Sequence, residues 1–215
     1  MKDLEGKGLN ETPTRPTRIC ILGLGNLMRT DDAVGMLTTR RLEADPRLPA
    51  DVTIIEGGTL GLDLLGRLDY ATHMIVLDAV DFGADPGTTI RCEGEDVARL
   101  PTSKSVHLMG LSDLMNVMRL MDLPEIEIVL LGVQPDNTEW GTELTPAVAA
   151  VQKDLVEATL RQIARWSGGS SGVSIQTDAA LMGVYGLTNS ILEVEESAAV
   201  RRKETMPARM RAAEA

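Results

Sequence analysis

Three side chains able to carry metal or acid–base chemistry stand where apolar runs end or helical patterns begin: Asp32, Asp78 and His107. Asp32 lies in the loop after the first apolar run, Asp78 closes the third within MIVLDAV, and His107 opens a helical pattern that can return over the same edge. In an open parallel sheet the working crevice lies beyond the carboxyl ends of the strands, so three chain-distant groups are expected to converge there. Two carboxylates and one imidazole can hold a divalent transition ion and leave positions open for an incoming ligand. Structural readings compete. An aspartate before a helix ordinarily caps it, which applies to both Asp31 and Asp32. A single histidine at a helix start is ordinarily structural. Asp78 resists that reading, because a carboxylate inside an apolar strand needs a compensating partner. His73, the only other histidine, reads as a boundary residue, and Trp140 and Trp166 read as packing residues.

Other chemistries fit less well. The turn GLGN resembles a dinucleotide-binding loop, but Met28 stands where its third glycine belongs, and Asp31 and Asp32 would bring negative charge toward a bound pyrophosphate. Glu56, closing the second strand, is the one residue placed like a ribose-binding carboxylate. There is no HExxH helix and no GxSxG elbow, and two histidines leave little scope for a conventional triad.

The elements that would position these groups follow from the hydropathy pattern. Strands are expected at Thr17 to Leu24, Val52 to Glu56, His73 to Ala79 and Ile126 to Val133, with helices at about Ala33 to Asp45, Gly61 to Leu68, His107 to Met121 and Thr145 to Trp166. A short TTIRC strand after the Pro-Gly turn is expected to pair antiparallel at one edge. In the third helix Leu108, Leu111, Leu114, Met115 and Met118 share a face. Thr145 reads as the N-cap of the last helix, with Pro146 in its first turn. The alternation predicts an α/β fold: three layers, with a twisted, mostly parallel five-stranded sheet flanked by helices and one antiparallel edge strand. Residues 1–16 read as a flexible segment and 17–167 as one domain. SGGSSG then opens a linker and a loosely attached helical tail over 168–215.

Composition bounds the class. The chain has 215 residues, 43% of them hydrophobic, enough for one substantial core. Its net charge is −11, and residues 1–16 balance at three basic and three acidic groups. Residues 169–215 carry five basic and six acidic, which leaves −10 to the middle. Such a surface repels phosphates, and only five aromatics could stack bases, so nucleic acid is not the expected partner. The start of the chain has no signal-like apolar stretch, and no apolar run reaches the roughly 20 residues a membrane span needs. A cytoplasmic protein without membrane association is expected. Cys20 and Cys92 lack CxxC spacing and read as buried structural thiols.

Five segments, ILGLGNLMRTDDAVG, EGGTLGLDLLG, MIVLDAVDFGADPGT, HLMGLSDLM and LLGVQPDNTEWGTELTP, stand in order between Ile19 and Trp166. Together they resemble the nickel-iron hydrogenase maturation endopeptidases. The resemblance implies a twisted sheet flanked by helices and removal of a C-terminal extension from the hydrogenase large-subunit precursor after nickel insertion. It implies that a glutamate, an aspartate and a histidine sense the nickel. By motif position these fall on Asp32, Asp78 and His107, which are then both the metal-meeting and the catalytic residues of an aspartyl-type endopeptidase. No metal is permanently bound on this reading; the substrate presents it, and the enzyme is a monomer. Two positions depart from the family pattern. Asp32 stands where glutamate is usual, one methylene and about 1.5 Å shorter, and Glu56 stands where aspartate usually precedes Gly-Gly-Thr. The alternative on the same fold is a chaperone that grips the precursor without cutting it.

Overall fold

The computed structural model describes residues 16–59, 62–68, 71–94, 96–97, 100 and 106–168. The segment 1–16 and the tail 168–215 read from the sequence fall outside the described residues, Pro16 and Gly168 excepted. In chain order the elements are β1 (Ile19–Leu24), α1 (Val34–Glu43), β2 (Thr53–Gly58), α2 (Leu65–Leu68), β3 (His73–Ala79), β4 (Thr89–Glu93), α3 (Val106–Leu120), β5 (Glu127–Val133) and α4 (Pro146–Trp166).

The five strands form one sheet in the order β2-β1-β3-β5-β4, parallel throughout except for β4, which runs antiparallel to β5 at the edge. The mixed sheet and its antiparallel edge are those expected from the hydropathy pattern. Side chains alternate across a strand, and the two faces feed two separate cores. Cys20, Leu22, Met74, Val76, Ile128 and Leu130 pack on one side with Leu108, Leu111 and Leu114 of α3. Ile21, Ile75, Leu77, Val129 and Leu131 pack on the other with residues of α1 and α4. Strands covered on both faces read as continuous apolar runs, which is why β1 and β3 show no polar alternation.

One expectation about local structure is corrected. The helix predicted over Gly61 to Leu68 is a single 3-10 turn, Leu62–Leu64, followed by the four residues of α2; Gly66 and Asp63 are poor helix formers in so short a segment. Thr145 stands at the N-cap of α4 with extended backbone and Pro146 follows in the first turn, both as expected, though the Thr145 side chain makes no capping hydrogen bond. Its hydroxyl donates to Asp31 instead. Among the described residues no helix is long and apolar enough to cross a membrane.

Candidate functional site

From β1 the chain crosses to β2 on one side, while β3 lies against the other side of β1. The loops after β1 and β3 therefore open into the crevice at this reversal, the place where doubly wound sheets bind ligands. Gly25 makes the turn out of β1 at φ 125°, and a Cβ there would lie 1.8 Å from the Asp32 carbonyl oxygen. Only glycine allows the loop to fold back that tightly. The backbone N–H of Asn26 donates to Asp32 Oδ2 at 3.0 Å and fixes the carboxylate at the mouth of the crevice.

Asp78 sits on the α3 side of β3, 1% exposed, and His107, 7% exposed, reaches it from the first turn of α3. His107 Nδ1 lies 3.2 Å from Asp78 Oδ1, and its Nε2 lies 3.7 Å from Asp32 Oδ2. All three groups picked out from the sequence thus meet, with the imidazole between two carboxylates. Burial by itself would lower the pKa of His107. The hydrogen bond that the ring N–H donates to Asp78, and then the charges of Asp78 and Asp32, outweigh it, and the net direction is up. Burial raises the pKa of Asp32, against the opposing pull of the His107 charge. Among the described residues no group of three or more His, Cys, Asp and Glu side chains is already arranged as a metal site. The reason is local: Asp32 and His107 face each other across a gap, while Asp78 is bonded to the far nitrogen of the ring.

Neither Asp31 nor Asp32 caps the following helix, since no side-chain cap bond forms at either the 3-10 turn Thr30–Ala33 or α1. Asp31 is wholly buried. It accepts from the backbone N–H groups of Asp136, Asn137 and Thr145 and from the Thr145 hydroxyl, at 2.8 to 3.0 Å. It ties the β1–α1 loop to the β5–α4 loop. Gln134 plays a matching part on the other flank. Its Oε1 accepts from Phe82, Gly83 and Ala84 N–H, and its Nε2 donates to Asp81, which orders the loop after Asp78. Sequence reasoning took Asp31 for a helix cap and passed over Gln134, for which the signal available was a polar residue directly abutting a buried strand, as in VQPD.

The remaining candidates lie elsewhere. Glu56 is half out in solvent and pairs with Arg40 at 2.7 Å, so it is not poised for a ribose. His73 is hydrogen-bonded with Thr72 and packs against Trp166, with ring centres 4.9 Å apart and ring planes tilted by 57°. Trp166 packs on the core, as expected, but Trp140 does not, being 76% exposed. Cys20 and Cys92 are both buried and reduced, and burial pushes the Cys92 thiol up to about 11.

Residues 36–162 match the family described as hydrogenase maturation protease, a stretch that includes Asp78 and His107 and begins four residues after Asp32. The chain is 34% identical to the hydrogenase expression/formation protein HupD of Rhodobacter capsulatus, over 76% of this chain and 80% of that protein. It is 36% identical to the hydrogenase 2 maturation protease of Escherichia coli K12, over 68% of this chain and 88% of the relative. In three dimensions it is similar to the hydrogenase maturating endopeptidase HybD from E. coli, with TM-score 0.66 and 36% identity, covering 71% of this chain and 94% of that one. It is also similar to the [NiFe] hydrogenase maturation protease HybD from Thermococcus kodakarensis, with TM-score 0.60 and 25% identity, covering 68% and 99% respectively.

Proposed function

The chain belongs to the hydrogenase maturation protease family, and on that premise we propose that it removes the C-terminal extension from the large-subunit precursor of a nickel-iron hydrogenase, recognising the nickel-loaded form through Asp32, Asp78 and His107. The enzyme keeps no metal of its own; the precursor brings the ion. The observation that carries the site assignment is His107 held between two carboxylates at 3.2 and 3.7 Å, at the crevice where the sheet reverses its strand order.

The donor set fits such an ion. Asp32 Oδ2 and His107 Nε2 face one another at a separation that two ligands about 2.1 Å from a common ion can span. Asp78 orients the ring from behind through Nδ1, as carboxylates commonly do for metal-binding histidines. Asp78 becomes a third ligand only by giving up that hydrogen bond. Carboxylate oxygens left over from binding supply a base for the water that attacks the peptide bond. Asp32 suits this part: its burial, which raises its pKa, makes it more basic than an exposed aspartate. Asn26 and Gly25 hold it at the crevice mouth, where an extended chain end can reach it.

The test is to mix the protein with precursor prepared with and without nickel and to follow loss of the C-terminal extension on a gel. Processing is expected with nickel only, and Asp78→Asn and His107→Ala should each slow it by about 100-fold or more. Cleavage irrespective of nickel would sink the recognition role. Undiminished cleavage by either variant would sink the site.

A further inference from the structure

Near Asp32 lie two exposed apolar residues, Met28 and Trp140. Arg29 and Gly141 form a parallel bridge. Thr30 N–H donates to the Gly141 carbonyl at 2.9 Å, and Gly141 N–H donates to the Met28 carbonyl at 3.0 Å. The Gly141 N–H that reaches the Met28 carbonyl belongs to the peptide link that follows Trp140, so Met28 and Trp140 sit on adjoining backbone segments. Met28 is 53% exposed and Trp140 76%. The pair adjoins Asp32 through one residue: Asn26 Oδ1 accepts from Met28 N–H at 2.9 Å, while Asn26 N–H donates to Asp32.

This placement is held firmly. Arg29 Nε donates to the Thr138 carbonyl at 2.8 Å, the Thr30 hydroxyl reaches the Asn137 and Glu139 carbonyls, and Asp31 fastens the same loop from beneath. Thr30 is kept at φ 32°, a region a β-branched residue rarely enters. Gly141 approaches so closely that a Cβ would lie 2.6 Å from Thr30 Cγ2. So many bonds, and one strained residue, hold an indole in water, where folding gains nothing from it. Tryptophan is enriched among the residues that anchor binding surfaces.

We propose that Met28 and Trp140 form a docking platform for the precursor polypeptide, taking an apolar side chain, flanked by basic residues, next to the bond that is cut. This rests on the proposed proteolytic function at Asp32, Asp78 and His107. The charge around the platform selects the occupant. Asp136, Glu139 and Glu143 are exposed on the loop that carries Trp140, whereas Arg29 on the adjoining segment is engaged with the Thr138 carbonyl. A cationic segment gains from these carboxylates, and a basic side chain gains further over the indole face. An acidic segment is repelled.

The experiment is steady-state processing of nickel-loaded large-subunit precursor by the full chain. Trp140→Ala is expected to raise KM about tenfold with kcat within about twofold, and Trp140→Phe to restore most of the loss. Added salt should raise the parent's KM, and less steeply in Glu139→Gln/Glu143→Gln. A KM unchanged in Trp140→Ala overturns the platform while leaving the proteolytic reading intact, and so does a fall in kcat alone. Absence of processing by the parent overturns that reading and the platform with it. If sedimentation shows that Trp140→Ala abolishes a dimer while its KM is unchanged, the occupant is a second copy and the proposal fails.

Discussion

His107 is the residue on which the site turns, because its raised pKa is a statement about stability as well as chemistry. Its folded-state pKa lies above the ordinary ~6.5, so between those two values the folded protein holds a proton that the unfolded chain releases. The corresponding stabilisation is complete below about pH 6.5 and is lost as pH rises through the raised value. Thermal unfolding of the parent and of His107→Gln, compared from about pH 6 to about pH 9, should therefore show a gap that narrows with rising pH. A gap that is constant or widens would mean that Asp78 and Asp32 do not hold the ring protonated. The convergence of Asp32, Asp78 and His107 was legible in the sequence because strand ends define one edge of a parallel sheet. What was not legible is the hydrogen-bond direction. That Asp78 takes Nδ1 and leaves Nε2 toward Asp32 depends on how α3 crosses β3, which periodicity does not encode. Asp31 was illegible for a related reason: a helix cap and a buried loop anchor use the same residue type at the same place.

At the scale of elements, the loops rather than the helices proved hard to read. β3 matches its expected limits from His73 to Ala79, since a double-sided apolar run has sharp ends. β4 and its antiparallel pairing were announced by the Pro-Gly turn before it. The β5–α4 loop gave no such signal; its shape is imposed by Asp31 from across the chain. This dependence is measurable. Asp31→Ala removes the side-chain acceptor shared by three backbone N–H groups, and denaturant unfolding should show a loss of about 2–4 kcal/mol. Thr145→Val deletes only the bond from its hydroxyl to Asp31 and leaves the three N–H bonds in place, so it should cost only about 1 kcal/mol. A loss below about 0.5 kcal/mol in Asp31→Ala would show that the loop holds its form without the anchor.

At the scale of the molecule, the question is whether two cores behave as one. Each strand gives alternate residues to opposite layers, and Val76 pairs with Leu130 in the same register that pairs Leu77 with Leu131. A layer cannot loosen without disturbing the strands that carry the other. Leu77→Ala, in the layer of α1 and α4, and Leu130→Ala, in the layer of α3, remove side chains that are both fully buried. Each should cost about 2–5 kcal/mol, and each should shift a single cooperative transition seen alike by circular dichroism and fluorescence. By contrast Arg47→Ala, which breaks ion pairs of 2.8 Å to Asp45 and Glu157 on the surface, should cost under about 1 kcal/mol because water screens them. Two resolved transitions in either leucine variant would mean that the α3 layer, which carries His107, unfolds apart from the layer beneath Asp32. The crevice would then be a joint between two units rather than a cleft in one.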